Sequence, residues 1–152
     1  MGNKRMIINW ILLIAWMLLI FLMSNQPAHI SNQQSNSFIN MLAFFGIDLN
    51  SKLGSLASFV VRKTAHFTEY AVLGFFTYKA VSCDVKDRKK AVLMAQLIST
   101  GYASTDEIHQ MFVPGREGKV FDVMIDSCGA FCGIMVSLIT QKFIEKKKGN
   151  QI

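Results

Sequence analysis

The sequence predicts an all-α integral membrane protein, a four-helix bundle in a single domain, on three observations. Half of its 152 residues are hydrophobic and its mean hydropathy is +0.32, above the usual soluble mix. Helix-length apolar stretches recur at about 6–23, 62–82, 91–111 and 120–144, and no segment alternates with the period of a strand. Ionisable residues crowd between Tyr102 and Asp126, at the facing ends of two such stretches. Charge beside lipid-length apolar runs is costly, so by default it marks a functional site.

Taking the elements in order, Lys4 and Arg5 precede an apolar run from Ile7 to Met23, broken only by Asn9. It is longer than the ~7–15-residue core of a signal peptide, and Ser24-Asn25-Gln26-Pro27 offers no small-x-small cleavage site. It reads as a retained first span. Ser24 to Asn36, rich in Ser, Asn and Gln, reads as a polar loop. Ser37 then caps a short interfacial helix over 38–45, which Gly46 ends. Asn50 or Ser51 caps a further helix. Continued through Ser82, that helix would be roughly 48 Å long at the α-helical rise, more than a bilayer needs, so a break is expected between Gly54 and Arg62. After the charged loop 84–90 comes the third span. Pro114-Gly115 has the residues of a type II turn, a tight reversal into the fourth span. A Lys146-Lys147-Lys148 tail follows.

Of the sixteen Lys and Arg, only Lys52, Arg62, Lys63, Arg116 and Lys119 fall on the loops between spans one and two and between three and four. The positive-inside rule then places both termini in the cytoplasm and the polar cluster on the outer half. The net charge of +6 is gathered at the ends of hydrophobic runs. That suits anionic lipid head groups, so membrane lipids are expected as partners and nucleic acid is not. Cys128 and Cys132 lie one helical turn apart and read as small packing residues. No metal or cofactor is expected, and no nucleotide-binding or catalytic-triad motif appears.

Residues three or four apart share a helix face. On the second span this joins Arg62, His66, Glu69 and Tyr70, with Lys63 beside them. On the third it joins Tyr102, Asp106, His109 and Gln110, with Glu107 about 100° away. On the fourth it joins Asp122, Asp126, Gly129 and Gly133, and the Gly pair would let another helix approach the acidic turn. These polar faces must avoid lipid, so they should converge on one pocket open to the outside.

Arg-Lys-x-x-His-x-x-Glu-Tyr at 62–70, Asp-Glu-x-His-Gln at 106–110, Pro-Gly-Arg at 114–116 and Asp-x-x-x-Asp-x-x-Gly at 122–129 resemble the VanZ-like family over residues 62–133. The resemblance implies a small multi-span bacterial membrane protein, with some members giving low-level resistance to glycopeptide antibiotics such as teicoplanin. It implies no agreed chemical mechanism.

Three readings of the cluster compete. In a structural one, Arg62, Lys63 and Arg116 neutralise Glu69, Asp106, Asp122 and Asp126 and pin the helix ends, for little net stability. In a binding one, Lys63, His66 and Arg116 hold a phosphate or carboxylate while Glu69, Tyr70, Asp106, Glu107, His109, Gln110, Asp122 and Asp126 complete the site. The ligand would be a lipid-linked envelope precursor, a phospholipid head group or a lipoglycopeptide. In a catalytic one, a membrane-embedded hydrolase or transferase uses His66 or His109 as base, with Glu69 or Asp106 orienting it and Arg116 stabilising negative charge. A metal held by His66-x-x-Glu69 and Asp106-x-x-His109 is disfavoured by the cations nearby. Binding at the outer leaflet is the leading expectation.

Overall fold

The computed structural model describes residues 2–149 and is helical throughout, with no strand among the described residues. Helix α1 is Gly2–Ser24, α2 Ala28–Phe44, α3 the single turn Leu49–Leu53, α4 Ala57–Asp84, α5 Arg88–Gln110 and α6 Val120–Gly149. The lysine tail continues α6, and the side chain of Lys148 lies outside the described residues.

The four expected long helices are present, each longer than or shifted by a few residues from its apolar stretch. Of the polar loop expected over 24–36, only 25–27 is a connection; Ser24 ends α1, and the rest is the first half of α2, which starts directly after Pro27. The Ala28 amide donates to the Pro114 carbonyl at 3.2 Å, and Ser35 and Ile39 are buried on the inner face. Tertiary packing against α4 thus makes a helix from Ser, Asn and Gln residues that look like a loop in isolation. Gly46 ends it as expected, at φ +86°, with Ile47 and Gly46 amides donating to the Leu42 and Ala43 carbonyls. Asp48, rather than Asn50 or Ser51, caps α3 by accepting from the Ser51 amide at 3.0 Å. The expected break falls at Gly54, φ +53°, where a 3₁₀ turn separates α3 from α4.

Helix α4 is the axis, packed by α1, α2, α5 and α6, and its seam with α6 is the most extensive. Glycines let the two backbones touch. A Cβ on Gly129 would strike the Phe67 carbonyl, one on Gly133 the Ala71 carbonyl, and one on Gly74 the Ala130 carbonyl. Gly129 and Gly133 do what their spacing implies, with α4 as the partner. Tyr70, Leu73 and Ala103 join Leu13 and Ile20 in one core cluster, and Tyr78, Ala91, Ala95 and Ile134 form another.

Apolar side chains also cover much of the outside. Asn3–Ser24 and Val120–Lys147 are long and apolar enough to cross a membrane, with 11% and 33% of their apolar windows buried. The other two expected spans do not reach that standard; α4 carries Arg62, Lys63, Glu69 and Lys79, and α5 carries Asp106 and Glu107 among several other polar residues. Cys128 and Cys132 are exposed on α6 rather than packed inside.

Candidate functional site

The C-terminal end of α1, the N-terminal half of α4, the C-terminal end of α5 and the start of α6 meet at one end of the bundle. Asp106, Glu107 and Asp126 are 4%, 5% and 1% exposed there, inside the core. The Ser24 hydroxyl donates to Asp106 Oδ2 at 2.8 Å, and Gln110 Nε2 donates to both Ser24 Oγ, at 2.8 Å, and Asp106 Oδ2, at 3.1 Å. Asp106 Oδ1 and both Asp126 oxygens have no hydrogen-bond partner among the described residues, nor has the hydroxyl of the fully buried Tyr70. Asp106 and Asp126 both act electrostatically on Tyr70. Glu69 feels Asp106 and Arg116, and Asp126 feels Glu107, Asp106, Asp122 and Lys63. The acids from three helices therefore form one group.

Cations roof this group. Lys63 pairs with Asp122, whose side chains are 17% and 14% exposed. The Pro114-Gly115 turn, with Gly115 at φ +74° and the Arg116 amide donating to the Val113 carbonyl at 3.1 Å, brings Arg116 back over the cluster. Arg116 Nε donates to the Gln26 carbonyl at 2.9 Å, and the rest of its fork has no acceptor among the described residues. Burial, then the neighbouring Arg62 charge, lowers the Arg116 pKa from the ordinary guanidinium value. On the rim, the hydrogen bond that the Lys119 ammonium donates to Glu117 raises the pKa of Lys119.

Two site residues take other places than their helix faces suggest. Glu107, about 100° from Asp106 around α5, is buried, and accepts from the Lys119 amide at 2.9 Å ahead of α6. His109 turns from the acids to the rim, with its ring 4.7 Å from that of Phe21 and Nε2 3.3 Å from Asn25 Oδ1. His66 Nδ1 lies 3.7 Å from Glu69 Oε2, outside hydrogen-bonding distance. Among the described residues, no three His, Cys, Asp or Glu residues are grouped to hold a metal.

Sequence reasoning missed the contribution of α1. Ser24 and Asn25 enter the site, and Trp16 Nε1 donates to the Glu69 carbonyl at 2.9 Å. The only advance signal for Ser24 is that it is the first polar residue after the apolar run.

Two cavities adjoin the cluster. One of about 380 Å³ is lined by Arg62, Lys63, Arg116 and Lys119 together with His66, Asp122 and Glu117, the last paired with Lys119. The other, about 580 Å³, is a groove between α1, α2 and α4 walled by apolar side chains such as Phe38, Leu42, Val60 and Val72. Arg62, His66 and Arg116 line both.

Fold and site together define an all-helical protein with an acidic core roofed by cations at one end of its bundle. The chain belongs to the VanZ/LLP1 family, whose model matches residues 9–141. No curated protein and no solved structure matches.

Proposed function

We propose that this is a four-span VanZ-like membrane protein that binds an anionic, lipid-linked ligand at the outer leaflet, and that through this binding it contributes to envelope homeostasis or glycopeptide resistance. The observation that carries the reading is the shared wall of Arg62, His66 and Arg116 between a cationic vestibule and an apolar groove. A ligand with a phosphate or carboxylate at one end and a chain at the other fits both at once. Membrane-spanning α4 and α5 are supported by length, since 23 residues rise about 34 Å against a ~30 Å core. The outer face of α5, with Leu93, Leu97 and Ile108, is exposed and apolar. The Lys and Arg distribution supports cytoplasmic termini.

The test is equilibrium binding of a polyprenyl phosphate to the full chain in lipid nanodiscs. Arg116→Gln and Arg62→Gln should each weaken retention about tenfold, on the scale of one lost charge-assisted contact. Unchanged retention in both would overturn the reading. The competing enzyme is favoured by the buried, unpartnered Asp126 oxygens, one helical turn along α6 from Asp122, which lines the vestibule. A turned-over lipid seen by mass spectrometry, and lost in Asp106→Asn, would establish it instead. Expression in a susceptible bacterium, scored by teicoplanin sensitivity, tests the resistance role. No shift in sensitivity while binding persists would leave envelope homeostasis alone.

A further inference from the structure

We infer that the end of the bundle opposite the acidic cluster carries a second site, which takes the phosphate of an anionic phospholipid between α1, α4 and α6. Arg5 near the start of α1, Lys79 in the last turns of α4 and Lys86 just beyond it line a cavity of about 510 Å³. Glu145 on α6 is the acid on its wall, and Arg88 already pairs with it. Among the described residues, three cations therefore face the cavity without an ion-pair partner of their own. A guanidinium fork and two ammonium groups suit a phosphodiester, which needs no further proton to bind.

Two buried hydroxyls point to the same ligand. Ser137, 1% exposed, lines this cavity, and its Oγ has no hydrogen-bond partner among the described residues. Tyr78, fully buried and likewise unpartnered, lines an adjoining cavity of about 230 Å³ that shares Ser82, Lys86, Gln141 and Glu145. A hydroxyl sealed from solvent without a partner is unfavourable, and phosphate or glycerol oxygens would satisfy it. The floor is fixed, because Asn9 Nδ2 donates to the Lys79 carbonyl at 3.1 Å and ties α1 to α4. The Lys79 ammonium rests 4.8 Å from the centre of the Phe75 ring, and that ring with Ile144 gives the cavity an apolar side. An acyl chain can leave past Ile144, which lines the cavity and is half-exposed. None of these residues belongs to the acidic end, so the two sites stand or fall separately.

The experiment is native mass spectrometry of the full chain released from vesicles of equal parts phosphatidylglycerol and phosphatidylcholine. The protein should retain phosphatidylglycerol preferentially. Replacing the three cations together, Arg5→Gln, Lys79→Gln and Lys86→Gln, should lower that retention about tenfold or more, as removal of three charges beside an anionic head group implies. The charge-keeping set Arg5→Lys, Lys79→Arg and Lys86→Arg should retain most of it, which separates charge recognition from misfolding. Equal retention of the two lipids by the unaltered protein, or undiminished phosphatidylglycerol retention by the Gln set, would overturn the proposal. So would displacement of the lipid by millimolar inorganic phosphate, which would make this a site for the free anion.

Discussion

At one end of the bundle Asp106, Glu107 and Asp126 are sealed in the core, whereas at the other Arg88 and Glu145 pair with about half of each side chain, 51% and 48%, in solvent. Tying α5 to α6 needs nothing more than the second arrangement. Burying three carboxylates, two of them with unpartnered oxygens, demands desolvation that structure alone does not repay. The difference teaches that holding helices together and creating a site are distinct tasks in this fold. The exposed pair can serve the first, and the buried acids with their cationic roof are built for the second.

The largest effect expected from this contrast is at Lys63. Lys63→Met leaves Asp122 uncompensated in a mostly buried position and should cost about 3–5 kcal/mol in equilibrium unfolding of the detergent-solubilised protein. The paired change Lys63→Met with Asp122→Leu should recover most of that stability and still lose ligand retention. If the pair keeps retention intact, the roof is structural and the contrast between the ends fails.

Asp126→Asn comes next, with the opposite sign. Both Asp126 oxygens lack a partner among the described residues, so an amide in place of the acid should leave stability unchanged or raise it, by up to about 1–3 kcal/mol, while ligand binding falls. Such a stability–function trade is the signature of a group kept for its chemistry. Destabilisation instead would mean that Asp126 holds the fold together.

A smaller effect belongs to the turn that delivers Arg116. Gly115→Ala must adopt φ +74°, and its Cβ would come within 3.2 Å of the Ala28 Cβ. A cost of about 1–2 kcal/mol is expected. The same unfolding measurement would read it, with a matching drop in retention if Arg116 is displaced.

How far these features are legible in the sequence depends on whether their cause is local. Pro114-Gly115 announces its turn because the backbone geometry is a property of those two residues. Gly46 and Gly54 likewise mark the positive-φ ends of helices. Gly129 and Gly133 show that some helix comes close, but not that it is α4, nor that Gly74 answers from the other side. Helical spacing groups Asp106 with Gln110 correctly, yet it also groups His109, which Phe21 and Asn25 draw to the rim. Ser24 is invisible for the same reason, since its partner lies 82 residues away. Helix α2 stays hidden because α4 and the Pro114 carbonyl, not its own polar residues, stabilise it.

The smallest effect concerns the exposed pair itself. A double-mutant cycle on Arg88→Gln and Glu145→Gln should give a coupling of no more than about 1 kcal/mol, because solvent screens half-exposed charges and ordering two long side chains costs entropy. The coupling should shrink further in molar salt, where the screening length is about 3 Å. The Lys63–Asp122 pair, measured in the same salt series, should change less, since its side chains are 17% and 14% exposed against 51% and 48%. Equal salt sensitivity at the two pairs would show that water enters the acidic end as freely as the other. The acids would then carry little desolvation cost, and the reason for assigning them a ligand would go with it.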